Sequence, residues 1–148
     1  MGRFGIYRNQ FQVPVVGVTG SVGKTSTKDI VASVLSQKYK VLKTQGNYNN
    51  EIGLPLTILS LKDEDVMVLE MGMSAFGEMR LLTNIAKPDI VAITNIGTSH
   101  IGILGSRENI LKAKLEILEG LKKDGKLVIN NDNDLLHKWY NEERLINN

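Results

Sequence analysis

The chain is 148 residues long and 42% hydrophobic, with 18 Lys and Arg against 16 Asp and Glu for a net charge of +2. That length supports one core, and so even a balance gives no basic surface for nucleic acid. There is no cysteine, which excludes disulfides and thiolate metal sites, and no apolar run approaches the ~20 residues of a membrane helix or forms a signal-peptide core at the start, so a cytoplasmic protein is expected.

Residues 1–12 show no clear period and read as an arm or linker remnant. Val13 to Val18 is a near-continuous apolar run, the mark of a strand buried on both faces of a parallel sheet. After a glycine-spaced turn, Ile30 and Val34 with their neighbours Val31 and Leu35 recur at helical spacing, predicting a helix from about Thr25 to Lys38. Lys40 to Thr44 reads as a short strand, and a polar segment leads to Leu54-Pro55, where a short apolar helix runs to about Leu61. Val66 to Met71 is a further buried strand, Phe76 to Ala86 a helix closed by Lys87-Pro88, and Asp89 to Thr94 the next strand. Asn95 to Gly105 reads as a glycine-rich loop, Glu108 to Leu121 as a helix, Lys126 to Ile129 as a strand, and 133–148 as a polar helical tail. Strand and helix alternate about five times, which predicts an α/β fold: a mostly parallel sheet with helices on both faces. Ligands of such sheets sit beyond the carboxyl ends of the strands.

Three predicted loops at that edge carry polar groups of interest. The first is Thr19-Gly20-Ser21-Val22-Gly23-Lys24-Thr25-Ser26, between a strand and a helix. Glycines let backbone N–H groups approach phosphate oxygens, the helix N-terminus adds its positive end, Lys24 can reach the β- and γ-phosphates, and the Thr25 hydroxyl can hold Mg²⁺. Only the G-x-x-G-K-T core of the phosphate-loop pattern is present, since Val18 stands where the longer pattern has glycine. Glu70 closes the third predicted strand, where a carboxylate can bind Mg²⁺ beside Thr25. His100, in Asn95-Ile96-Gly97-Thr98-Ser99-His100, is equally readable as a loop residue or a metal ligand.

Two further features have two readings each. Asn47 to Asn50 offers donors and acceptors beside the phosphates, yet asparagines also favour turns. Lys114 shares a stripe with Ile110, Ile117 and Leu121, where its charged form is costly. Such an amine either snorkels to the surface or stays neutral and reactive, for instance toward CO₂ to give a carbamate.

Together these residues resemble the central, ATP-binding domain of the Mur ligases over roughly residues 13–132. The phosphate loops of that family also lack the leading glycine. Within the family, Gly46-Asn47-Tyr48-Asn49-Asn50-Glu51-Ile52-Gly53-Leu54-Pro55-Leu56-Thr57, Glu70-Met71-Gly72-Met73 and the His100 segment are similar to the MurF type, which joins D-alanyl-D-alanine to UDP-MurNAc-tripeptide. The resemblance implies ATP and Mg²⁺ as cofactors. It places residues 19–26 on the nucleotide, Lys24 on the transferred phosphate, and Asn49 and Asn50 near the γ-phosphate and the substrate carboxylate. It also implies Thr25 and Glu70 on one Mg²⁺, His100 on a second, and Lys114 as the carbamate-bearing lysine. Full members have an N-terminal domain for the uridine nucleotide and a C-terminal domain for the amine, so the expectation is a fragment of the ligase, without ligase activity alone. Alternatives are a folylpolyglutamate synthetase type of enzyme and a non-catalytic ATP-binding module.

Overall fold

The computed structural model describes residues 12–146, with no account of the side chains of 144–146. The arm expected over 1–12 lies, save for Gln12, outside the described residues. Five strands form one parallel sheet: β1 (Val15–Thr19), β2 (Val41–Lys43), β3 (Val66–Glu70), β4 (Ile90–Ile93) and β5 (Lys126–Ile129), in the order β2-β3-β1-β4-β5. β1 and β3 are central and carry the longest apolar runs, as strands covered on both faces require.

Helix α1 (Lys24–Leu35) covers one face, packing Ala32 on Val18 and Val68. α2 (Gly53–Leu59), α3 (Glu78–Ala86), α5 (Arg107–Leu115), a 3₁₀ helix (Glu116–Gly120) and α6 (Asp134–Ile146) contribute to the larger core on the other face, around Met67, Leu69, Met71 and Ile93. This division follows from handedness. The crossover from β1 runs one way along the sheet and the later ones the other, and right-handed connections then put their helices on opposite faces. β1 and β3, adjacent in space, thus send their following loops to opposite sides, and a crevice opens at their carboxyl ends.

The structure departs from the sequence reading in four places. α1 forms, but Ile30 and Val34 face outward at 65% and 67% exposure, while Ala32 and Lys28 are the buried residues. Lys28 is drawn inward because its ammonium donates to Thr44 O at 2.9 Å and lies 3.3 Å from the Asp29 carboxylate. The loop over 95–105 contains one helical turn, α4 (Ile101–Leu104), entered through His100 in the left-handed conformation at φ 66°. The helix expected from Glu108 to Leu121 starts at Arg107, capped by Ser106 Oγ accepting from Asn109 N, and tightens to 3₁₀ after Leu115.

The tightening has a cause in α3. Thr83 Oγ1 donates to Ile117 O at 2.6 Å, and Gly120 packs so close to Thr83 that a Cβ would lie 2.2 Å from its carbonyl oxygen. The Glu116 carboxylate accepts from Gly77 N at 3.0 Å and Arg80 N at 3.2 Å, capping the start of α3 from outside. Finally, α6, expected as a polar helical tail, is part of the core: Leu136 is fully buried there, and Asp134 accepts a forked ion pair from Arg107. That guanidinium holds the Asp134 carboxyl down at about 2.

Candidate nucleotide site

Strand β1 ends at Thr19 and α1 begins at Lys24, so the intervening glycine turn sits at the carboxyl edge of the sheet with the helix N-terminus facing the crevice. Two glycines are required by different constraints. Gly20, at φ +150°, leaves no room for a side chain, since a Cβ would fall 1.8 Å from Thr94 Oγ1. Gly23 stands in open space but adopts φ 81° as the N-cap of α1. The Lys24 ammonium curls back over the turn and donates to Gly20 O at 3.1 Å.

Across the crevice, Glu70 is 2% exposed at the end of β3. Its Oε2 accepts from Thr25 Oγ1 at 3.0 Å and its Oε1 from Asn49 Nδ2 at 2.9 Å. Its backbone N–H donates to the Thr44 hydroxyl at 2.9 Å. Asn49 is held in turn by Gly72 N donating to its carbonyl at 2.8 Å. Asn50 combines both readings of the asparagine cluster: its Oδ1 accepts from Gly53 N and Ile52 N at the start of α2, while the residue still lines the crevice.

Lys24, Asn49, Asn50 and His100 surround one cleft of about 450 Å³, together with Glu51, Gly72, Met73, Ser74 and Glu78. Ser74 and Glu78 carry no signal in the bare sequence. Glu78 folds back to accept from Ser74 N at 2.6 Å and from Ala75 N at 3.3 Å, which holds its carboxyl below the usual range, and the nearby His100 pushes it the same way. Lys114 lies 1% exposed beside Ile110 and Ala113, and among the described residues no carboxylate pairs with it. Burial, with a smaller contribution from the positive charge of Lys24, pushes its amine down to about 8. The residues singled out from sequence at the three loops therefore share one edge, with Lys114 within electrostatic reach of Lys24.

The Thr25 hydroxyl and Glu70 carboxylate are hard oxygen donors in contact, the kind of pair that suits Mg²⁺. Among the described residues no cluster of three or more acidic or histidine side chains could enclose a metal, so a cation here would take its remaining ligands from phosphate and water.

The chain is similar in sequence and in fold to known ligases. The family model of the Mur ligase middle domain matches residues 18–147. The UDP-N-acetylmuramoyl-tripeptide–D-alanyl-D-alanine ligase of Bacillus subtilis is 54% identical over 135 residues, covering 90% of this chain and 30% of the relative. Its Synechocystis counterpart is 51% identical over 131 residues, covering 88% and 29%. Among solved structures, the MurF ligase of Thermotoga maritima in complex with ADP superposes with a TM-score of 0.86 at 42% identity, over 91% of this chain and 32% of that one. The chain thus spans about 30% of the length of the curated relatives it matches. Because the family model covers residues 18–147, most of its length, the chain belongs to the Mur ligase family, in the region of the family's middle domain.

Proposed function

We propose that this chain is the ATP-binding part of a cytoplasmic MurF-type ligase, which joins D-alanyl-D-alanine to UDP-MurNAc-tripeptide through an acyl phosphate. The observation that carries the reading is the Thr25–Glu70 contact beneath a phosphate loop, facing a polar cleft lined by Lys24, Asn49, Asn50 and His100. The identity to curated ligases of that name and the likeness to an ADP complex support it.

In this reading the terminal carboxylate of the tripeptide attacks the γ-phosphorus of ATP, and the bond to the β–γ bridging oxygen breaks with its electron pair leaving on ADP. The D-alanyl-D-alanine amine then attacks the acyl carbon, releasing phosphate and a proton and leaving the amide. The backbone N–H groups at the start of α1 and the Lys24 ammonium bind the phosphates, and Lys24 stabilises charge on the transferring oxygens. Asn49 and Asn50 orient the γ-phosphate and the attacking carboxylate. Thr25 and Glu70 would hold one Mg²⁺, and His100 would help hold a second. When bound, Mg²⁺ neutralises phosphate charge.

Lys114 is assigned the carbamate. An amine at about 8 is roughly one-tenth neutral at pH 7, enough to add CO₂ with loss of a proton. The product carries one negative charge where a buried positive one stood, which turns the smaller of the two effects on the amine, repulsion from Lys24, into attraction, while burial, the larger effect, still weighs on the charge.

The test is ligation by the full-length ligase containing this domain, with and without Lys24→Ala. The reading predicts loss of phosphoryl transfer in the variant, and no ligation by the 148-residue chain alone. Unchanged turnover in Lys24→Ala contradicts it.

A further inference from the structure

Ser21 and Val22 sit in the middle of the phosphate loop, yet neither presents its backbone N–H to the cleft. Ser21 N donates to Asn95 O at 3.0 Å, and Val22 N donates to Asn95 Oδ1 at 3.1 Å. The same Asn95 amide returns a bond from Nδ2 to Val22 O at 3.2 Å, and Thr94 Oγ1 donates to that oxygen at 2.6 Å. Two further bonds come from the next residues: Gly97 N to Ser21 Oγ at 2.9 Å, and Ser99 Oγ to Ser21 O at 3.1 Å. One short segment after β4 therefore grips two consecutive residues of the loop, and the Asn95 side chain pairs with Val22 as a neighbouring strand would, donating and accepting at once.

We propose that Asn95 is the positioning residue of the phosphate loop: by holding Ser21 and Val22 it keeps their N–H groups out of phosphate binding and sets the turn that aims the donors at the start of α1 into the cleft. The inference rests on the nucleotide reading above and adds to it a division of labour within the loop. A glycine-containing turn is free to adopt many conformations, and its donors bind phosphate well only if that freedom is removed before the ligand arrives. Here the restraint is supplied from outside. Gly20 is part of the same arrangement, because only a residue without Cβ lets Thr94 Oγ1 reach over it to Val22 O. The segment leads directly into His100, so the loop that holds the phosphates and the residue across the cleft are set by one piece of chain.

The experiment is titration of the 148-residue chain with inorganic tripolyphosphate and with ATP, each with Mg²⁺, for wild type, Asn95→Ala and Thr94→Val, alongside hydrogen exchange of the Val22 amide. The proposal predicts about tenfold weaker binding of both ligands by Asn95→Ala and a smaller, several-fold loss in Thr94→Val, which removes one of two donors to Val22 O. The Val22 amide should be protected in free wild type, stay protected with ligand bound, and exchange faster in Asn95→Ala. A purely structural role would lower thermal stability without changing affinity for tripolyphosphate in the folded fraction. Wild-type affinity in Asn95→Ala, or a wild-type Val22 amide that is unprotected until ligand binds, overturns the proposal. If Asn95→Ala does not fold, Thr94→Val and the wild-type exchange decide. Failure of wild type to bind either ligand removes the phosphate reading itself, and the proposal with it.

Discussion

Thr25 Oγ1 and Glu70 Oε2, 45 positions apart in the chain, meet at 3.0 Å where the phosphate loop and the end of β3 face each other. The contact depends on β1 and β3 being neighbours, with Val18 opposite Glu70 in register. Because Glu70 is almost fully buried, its charge is stabilised by few groups: the Thr25 hydroxyl, the Asn49 amide, and any cation that joins them.

Glu70→Gln is the isosteric test of that arrangement. It keeps an acceptor for Thr25 or Asn49 and removes the charge. The expected result is a folded protein whose nucleotide affinity no longer rises with Mg²⁺, with a loss of about tenfold or more at saturating metal. Calorimetric titration at several Mg²⁺ concentrations reads it.

Lys114 predicts a pH dependence of stability. Its amine is held at about 8 against 10.5 for an exposed lysine, so between those values the unfolded chain binds more protons than the folded one. Stability should then rise with pH from about 8 to 10.5, and the cost of the buried charge is fully present below 8. Lys114→Met should be more stable than wild type at pH 7 by on the order of 3 kcal/mol, with the gain fading above pH 8. Denaturant melts in CO₂-free buffer check this. In bicarbonate, intact mass should show wild type carrying one added CO₂ and Lys114→Met none.

The two loop glycines should respond differently to alanine. Gly20→Ala places a Cβ against Thr94 Oγ1 and should cost more than about 2 kcal/mol, with loss of phosphate binding. Gly23→Ala meets nothing within 4 Å and should cost only the backbone strain of φ 81°, about 1 kcal/mol. Thermal unfolding of both variants separates the two causes.

Much of the frame could be read from the chain because its signals are local. The strands of the sheet core are β-branched runs, and the glycine turn with Lys24-Thr25 marks both a strand end and a helix start. What escaped the sequence depends on contacts between distant segments. Lys28 looks like a surface lysine until Thr44 O is found 2.9 Å from its ammonium, and it shares the sheet-facing side of α1 with Ala32, Val31 and Leu35, which leaves Ile30 and Val34 outward. The winding after Leu115 changes because Thr83 takes the Ile117 carbonyl. Asn95 reads as a loop asparagine, and only pairing β4 beside β1 brings it onto Val22.

Glu116 supplies a prediction of the same kind. Its buried carboxylate caps α3 through Gly77 N and Arg80 N, so Glu116→Ala should cost about 1–3 kcal/mol by leaving those donors unpaired. Glu116→Gln retains an acceptor and should lose less than half as much. Urea melts of the two variants test whether the cap or the charge matters.

The central claim is tested most directly by mapping ATP with Mg²⁺ onto the backbone amides of the 148-residue chain by NMR titration. The account predicts saturable shifts concentrated at Gly23 to Ser26, Glu70 and the segment leading to His100, and their disappearance in Lys24→Ala. Shifts clustered on another surface, or an unchanged pattern in Lys24→Ala, would contradict it.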